Sequence, residues 1–564
     1  MSDVVDTTVL IVGAGPVGLT LALDLAWRGI DVVVVEQRRV GEPPDPKCNH
    51  VAARTMEVFR RLGVAGKLRN AGLPEDYPHD PVYRTTFVGR EIGRIHIPCR
   101  RDRYTDLTGA DAHWPTPEPP HRINQLFLEP ILFAHVAAQP RVRILNRTSV
   151  ETFEQNEDGV TAVAKCLDSG TTAQIRCRFL LGCDGGKSGV RRALGIKLAG
   201  DAVIQRVQAT FIRAPALIGM QQHERAWMTH SVNPRRSGNV IAIDGRERWM
   251  IFNYLRPDEL EFDAVDRDWA IRTILGVGSE FTYEVISKED WVGRRLIAER
   301  FRKGRVFLVG DAAHIWVPYA GYGMNAGIAD AMNLSWQLAA HLNGWAPSAI
   351  LDAYEAERWP ITEQVSRFAM SHAEKEIKRR GAVPAAIEDE GPEGDRVRAE
   401  AGRLACTINV QQFAAAGLNF GYYYDRSPLI AYDGAAHPDY TMASFTPSTV
   451  PGCRLPHLWL ADGRSLYDAL GPEYTLLRFD PELAVDPLID AARQRGVPLT
   501  VLDVVSAEAH DIYTTKLVLA RPDQHVAWRG DGLPSDVVAL IDRVRGQLGT
   551  LTTGSRQAPS IFAP

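Results

Sequence analysis

The sequence predicts an α/β protein of several domains, in which a parallel-sheet core is interrupted by a second sheet and followed by a small α/β unit. Three observations predict it. A β-branched run at Thr7–Val12 leads into a glycine-rich turn, a helical pattern to Arg28 and a second apolar strand over Asp31–Val35. Strand patterns with little helix between them crowd the stretch from Val203 to Leu255. Beyond Asp433, strands and helices alternate again, which marks a unit of its own.

Composition sets the outer bounds. With 564 residues, 45% hydrophobic and 24% charged, the chain has globular make-up and enough length for several cores. A net charge of −5 without blocks of like charge gives no reason to expect nucleic acid or an anionic membrane as partner. The seven cysteines are scattered and contain no CxxC, which argues against a disulfide framework or zinc site and for a reducing cytoplasm. The apolar run Val9–Leu23 imitates a secretory segment, but Asp3 and Asp6 precede it and glycine and proline interrupt it. No other stretch approaches the ~18 apolar residues of a membrane helix, so a soluble protein is expected.

The turn Gly13-Ala14-Gly15-Pro16-Val17-Gly18 completes a βαβ fingerprint for a dinucleotide. Gly13 permits the tight turn, Gly15 lets the backbone approach a pyrophosphate, and Gly18 allows close helix–strand packing. Glu36, at the end of the second strand, can bind ribose hydroxyls; an acid there disfavours a 2′-phosphate, so FAD or NAD is expected before NADP. The stretch Asn49–Glu57 leads into a helix, in which Arg54 either reaches a phosphate or lies on the surface. Residues 74–122 are expected to be a strand and long loops. A helix then runs to His135, with Gln125 near its start as cofactor ligand or cap, and Val142–Val163 reads as a hairpin turning at Asn156–Gly159.

Phe179–Gly182 is another buried strand, ending in Cys183-Asp184-Gly185-Gly186, which with the basic helix start at Arg191 and Arg192 resembles a second phosphate-facing turn; the alternative is that Asp184 caps the helix and the two arginines lie in solvent. The strands Val207–Ile212, Ala226–Val232, Asn239–Asp244 and Arg248–Tyr254 form a sheet suited to roof a pocket. They offer His230, Trp249 and Tyr254 to an aromatic substrate, and Asn49 is taken with them as a substrate contact. A helix over Asp266–Leu275 follows. Phe307–Leu338 then joins a strand, Asp311 just past its end, a loop held open by proline and glycine from Val317 to Gly323, and a helix beginning at Met324 and Asn325. A strand end, an acid and a bare helix N-terminus make a cradle for polyol and anion. Further helices are expected at Ala349–Val365 and Phe368–Lys378, with an acidic linker over Ala382–Arg396. The last unit carries strands at Thr475–Phe479, Leu499–Val504 and Thr515–Ala520 and helices at Pro487–Arg495 and Ser535–Leu548.

Three motifs in this order, Gly13 to Glu36, Cys183-Asp184-Gly185, and Val309-Gly310-Asp311 with its loop and helix, resemble the single-component flavin-dependent aromatic hydroxylases. Three further segments resemble the C-terminal thioredoxin-like domain of the phenol hydroxylase branch. They are Pro451 to His457, Asp462 to Asp468, and Arg521-Pro522-Asp523-Gln524-His525-Val526-Ala527-Trp528-Arg529. The resemblance implies a Rossmann-like FAD-binding domain (1–190 and 286–380) with an inserted β-sheet substrate domain of the p-hydroxybenzoate hydroxylase kind (191–285). Linker helices (381–432) and a thioredoxin-like domain (433–564) complete the chain. Lacking CxxC, that last domain is expected to have no redox chemistry and to support a dimer or cover the flavin domain.

The resemblance further implies tightly bound FAD, with NADPH or NADH as a passing reductant and molecular oxygen and a small phenol as substrates. It assigns the Gly13–Gly18 turn, Glu36 and Gln37 to the adenosine half of FAD, and Arg54 and Gln125 to the phosphate and ribityl region. Asp311, beside Gly310, is expected at the ribityl chain, Asp184 and Gly185 at FAD and nicotinamide, and amides around Gly321, Gly323, Met324 and Asn325 at the pyrimidine end of the flavin. Pro318, Tyr319 and Tyr322 are expected beside the reacting ring. Many relatives carry two prolines and a Gly-Gln-Gly turn there, so the two tyrosines set this chain apart. The expected reaction is hydroxylation of a phenolic ring, ortho to its hydroxyl, through a flavin C4a-hydroperoxide in aromatic catabolism. A tailoring hydroxylase of a polyketide or antibiotic, and a flavin-fold binding protein without turnover, are the alternatives. A flavin halogenase is disfavoured, because no Trp-x-Trp occurs.

Overall fold

A computed structural model describes residues 4–221, 223–506 and 509–547. Its centre is a six-stranded sheet in the order Arg302–Lys303, Val306–Leu308, Phe179–Gly182, Val9–Val12, Val32–Glu36, Val142–Asn146. All but the first pairing are parallel. A parallel sheet is covered on both faces, and its inner strands are accordingly near-continuous Val, Ile and Leu rather than alternating. The Pro16–Trp27 helix, with proline in its first turn and Gly29 in the left-handed conformation just beyond it, packs on the Gly323–Leu342 helix. In register, Val12 lies level with Val35 and Gly182, and Gly182 with Leu308. The turns that follow all four strands therefore open at one carboxyl edge, where open α/β sheets bind ligands.

The expected hairpin over Val142–Val163 is divided. Its first strand joins the parallel sheet, Arg147 breaks the chain at φ +53°, and Thr148–Gln155 and Val160–Cys166 pair around the Asn156–Gly159 turn.

A seven-stranded sheet runs Glu284–Gly293, Gln205–Arg213, Arg248–Tyr254, Gly238–Ala242, Met228–Ser231, Pro81–Arg84, Glu91–Arg94. It thus recruits two short strands from the region expected to be mainly loop. Two expected helices are one, Ala353–Gly381, running through Pro360; Ser366, in the expected gap, is helical and its hydroxyl donates back to the Glu363 carbonyl at 3.0 Å. The last third of the expected linker is the start of a helix, Pro392–Phe413, which begins after Gly391 at φ +87°.

The C-terminal unit is a thioredoxin-like sheet in the order Leu499–Asp503, Tyr474–Arg478, Leu517–Ala520, Val526–Gly530, the last strand unanticipated. Its terminal helix is Val537–Val544; Leu548, the expected end, lies outside the described residues. Fully buried Arg521 anchors the unit by a bidentate pair to Glu357 at 2.6 and 2.8 Å. Arg60 reaches Asp468 and Arg454 reaches Glu57 across the same junction. Among the described residues no helix is long and apolar enough to cross a membrane, and no cluster of His, Cys, Asp and Glu suits a metal.

Candidate active site

At the carboxyl edge the backbone is packed without room for side chains. A β-carbon at Gly13 would stand 2.5 Å from the Cys183 carbonyl oxygen, and one at Gly18 would stand 2.1 Å from that of Gly13. The fingerprint turn and the Asp184 turn therefore touch backbone to backbone, whereas the space in front of Gly15 is open. Glu36 Oε2 accepts from the Ala14 amide at 2.7 Å and Oε1 from the Arg38 amide at 2.9 Å. Burial raises its carboxyl, but these bonds and the Arg38 charge hold it below the ordinary carboxylate range. Gln37 is exposed, and its carbonyl accepts from Arg147 at 3.0 Å.

Asp184 Oδ2 caps the next helix through the Val190 amide at 3.0 Å, and Oδ1 is buried without a partner. Of the two readings of Arg191, the solvent one is excluded: it is buried and donates to the Ala312 carbonyl at 2.8 Å and to that of Gly186 at 3.1 Å. It thereby fixes the Gly310–Ala312 turn that presents Asp311. Asp311 is exposed, yet its surroundings push its carboxyl upward by desolvation, against the charges of His314 and Lys47. Both facts describe a side chain on the wall of a deep cleft. Behind it, Asp330 is wholly buried and takes His314 at 2.6 Å and Arg358 at 2.7 Å.

The segment 47–52 forms the facing wall. Lys47, which the sequence reading passed over, stands near Asp311 and pairs with Glu289 of the seven-stranded sheet at 2.9 Å. The Gln125 amide bonds the Cys48 carbonyl at 2.8 Å, and the Gln125 side chain bonds Glu129. Asn49 Oδ1 is engaged by Asn124 at 2.6 Å, a loop-holding contact. Asn325 bridges the loops by donating to the Gly321 and His50 carbonyls at 2.8 and 3.1 Å and accepting from the Ala52 amide at 2.8 Å. Gly321 needs its φ of +60° and its bare α-carbon, since a β-carbon would stand 3.0 Å from that of His50. In front of Gly323, as before Gly15 and Gly185, the space is open.

Two assignments are corrected by their surroundings. Arg54 donates to the Asp523 carbonyl at 3.2 Å and lies over the Tyr422 ring, so the C-terminal unit takes it up rather than a phosphate. Tyr322 is buried and its hydroxyl donates to the Leu418 carbonyl, which removes it from the reacting side. Met324 is half-buried against the core, Pro318 is exposed, and Tyr319 remains beside the loop.

The seven-stranded sheet supplies the other wall. Cross-strand register puts Tyr83, His230, Asn239 and Phe252 at one level and on one face, with Tyr254 two residues further on that face. Trp249 has the opposite parity; it is buried against Phe87 and donates to the Ala214 carbonyl at 3.1 Å, so the structure turns it away from this wall. His230 stacks on Tyr83 at 4.6 Å, and burial pushes its imidazole down to about 3, so it is neutral. Its Nε2 and the Tyr83 hydroxyl are buried without partners. Asn239 donates to the Tyr254 hydroxyl at 2.9 Å. Arg380, from the end of the Ala353–Gly381 helix, lies 4.1 Å over the Tyr254 ring and donates to the Tyr319 hydroxyl at 2.9 Å and to Gln205 at 2.7 Å. The sequence reading had given Arg380 no role.

These residues fit an extended dinucleotide. The turn open at Gly15, Glu36 at the end of the second strand, the partnerless Asp184 oxygen and the accessible Asp311 follow one another along the carboxyl edge.

Comparison with known proteins agrees. Residues 6–369 match the family described as FAD binding domain, and residues 448–549 match aromatic-ring hydroxylase, C-terminal. The chain is 31% identical to FAD-dependent monooxygenase apdD of Emericella nidulans, over 96% of this chain and 90% of that one. It is 30% identical to phenol 2-monooxygenase of Pseudomonas sp. (strain EST1001), over 97% and 93%. The rebeccamycin biosynthetic enzyme RebC with reduced flavin superposes at a TM-score of 0.87 and 35% identity, covering 97% of this chain and all of that one. The site geometry and these matches together make the chain a member of the single-component FAD-dependent aromatic hydroxylases, a flavoprotein monooxygenase.

Proposed function

We propose that the enzyme hydroxylates a phenolic ring ortho to its hydroxyl, and that Arg380, Tyr319 and Tyr254 activate that hydroxyl. The observation that carries this reading is the guanidinium of Arg380 set between the two tyrosines, at the Tyr319 hydroxyl and over the Tyr254 ring. Each tyrosine oxygen already accepts a hydrogen bond, from Arg380 or Asn239, and so keeps its own proton for a substrate oxygen. A phenol held there is polarised toward phenolate beside a cation, which raises the electron density of its ortho carbons. FAD, when bound and reduced by a nicotinamide nucleotide, supplies the oxygen-activating chemistry. Asp311, Asp184 and Glu36 orient it, and the Asn325 bridge closes the loop at its ring end.

A second reading, tailoring of a larger fused aromatic, is favoured by the width of the wall. Tyr83, His230, Asn239 and Phe252 stand on four neighbouring strands. At roughly 4.8 Å per strand the wall is about 14 Å across, more than a single ring needs.

The test is a screen of one-ring and fused-ring phenols for stimulated NADH and NADPH oxidation, with product mass checked. One added oxygen in a one-ring product supports catabolic use, and turnover restricted to fused rings supports tailoring. Oxidation that no phenol stimulates would sink the proposal.

A further inference from the structure

Among the described residues, the buried arginines have a carboxylate within 4.0 Å, with two exceptions, Arg122 and Arg191. Arg191 has its place, spanning two carbonyls beside Asp184. Arg122 does not. Its Nη1 contacts His50 Nδ1, its Nη2 donates to the Phe413 carbonyl at 3.1 Å, and its guanidinium lies 4.5 Å over the Trp227 ring. All three partners are neutral, because burial and the neighbouring guanidinium hold His50 well below its ordinary value. The carboxylate whose charge acts on Arg122 is Asp111, which is already paired with Arg103 at 2.8 Å. A buried cation without a counter-charge is costly, and a π face offsets only part of that cost.

The position gives the missing charge a source. Through His50 the guanidinium adjoins the loop that Asn325 ties to Gly321. Through Phe413, which meets both Trp227 and His230 edge-on, it adjoins the aromatic wall. It therefore lies between the flavin-side loop and the substrate wall, on a different contact set from Arg380.

Resting on the aromatic-substrate reading above, we propose that Arg122, presented by His50 and Trp227, is a specificity residue that receives an anionic group of the substrate, a ring-borne carboxylate. The substrate class is then an acidic hydroxyarene. His50 accepts from Arg122 and so fixes the guanidinium plane, and Trp227 supports it from behind.

The experiment uses FAD-loaded enzyme and two matched probes, 1-hydroxy-2-naphthoate and 1-hydroxy-2-naphthamide, with binding read by titration calorimetry without reductant. The wild type is expected to bind the carboxylate at least tenfold more tightly than the amide. Arg122→Gln is expected to erase that preference while binding the amide within about twofold, and Arg122→Lys to keep part of it. The thermal midpoint of unliganded Arg122→Gln is expected to equal or exceed that of the wild type, because an uncompensated charge has been removed. Absence of a carboxylate preference in the wild type, an unchanged preference in Arg122→Gln, or a lowered midpoint that marks Arg122 as a fold-holding group would each overturn the proposal. Binding is measured without turnover, so this failure is separate from failure of the oxidation screen.

Discussion

Gly327 and Gly310 approach so closely that a β-carbon on Gly327 would stand 3.0 Å from the Gly310 α-carbon and 2.7 Å from Val17 Cγ2. Three motifs distant in sequence meet at this point, the fingerprint helix, the strand end that carries Asp311 and the helix behind the loop.

Gly327→Ala is therefore expected to wedge the contact open. Backbone has to give way, so a loss of about 1–3 kcal/mol is expected in denaturant unfolding, together with weaker FAD retention. Unchanged stability and flavin content would show that the junction is loose.

Arg191→Ala removes the tether between the Asp184 turn and the Ala312 carbonyl. We expect FAD dissociation to rise at least tenfold, measured by the fluorescence of released flavin, with secondary structure preserved in circular dichroism.

Asp311→Ala is expected to purify largely without FAD, since this is the accessible acid on the cleft wall. Full flavin occupancy, read from the absorbance ratio of purified protein, would remove its assigned role.

Asp24 is wholly buried among Arg28, Arg61 and Ser335. Burial alone would raise its carboxyl, but the Arg28 and Arg61 charges and the hydrogen bonds bring it from 3.8 to about 2. The folded state thus binds fewer protons than the unfolded one. The resulting stabilisation, about 2 kcal/mol, is fully present above pH ~4 and lost as pH falls toward ~2. Asp24→Asn should flatten that part of the stability–pH curve and lower stability at neutral pH by about 3–5 kcal/mol, because it strands buried guanidinium groups.

Arg380→Met is expected to lower kcat by roughly 10²-fold or more with little change in FAD content, and to shift the pH profile of kcat alkaline, as the substrate hydroxyl loses its cation. Equal losses of flavin and rate would assign Arg380 to the fold instead.

The residues expected around FAD were legible because a βαβ turn fixes their spacing: Gly13 and Gly15 follow one strand, Gly18 falls in the first turn of the helix after it, Glu36 ends the next strand and Asp311 lies just past another. Trp249 was misplaced although the information was present, since residues 249 and 254 of one strand differ by an odd number and cannot share a face. His230 and Tyr83 became neighbours only through parallel pairing of Met228–Ser231 with Pro81–Arg84, a register no local pattern announces. Arg54 and Tyr322 were read as site residues because their partners, the Asp523 and Leu418 carbonyls, lie 469 and 96 positions away. Arg122 and Arg380 were invisible for the same reason: an arginine shows its meaning by what surrounds it, and theirs is assembled from distant segments.

The seven-stranded sheet has a consequence for how the enzyme is made. Its order sets three separate segments, 284–293, 205–254 and 81–94, side by side, and the pairing of Glu284–Gly293 with Gln205–Arg213 is the last that synthesis makes possible. A nascent chain that has just extruded the glycine fingerprint lacks the Phe179–Gly182 strand and the Cys183 turn on which that fingerprint packs, and lacks Asp311 and the Asn325 bridge as well. Flavin loading is then expected only after the Asn325 helix has left the ribosome, and until then the half-built sheet is expected to expose a strand edge to its neighbours. Riboflavin supply and translation rate should then act together on the yield of coloured, folded enzyme.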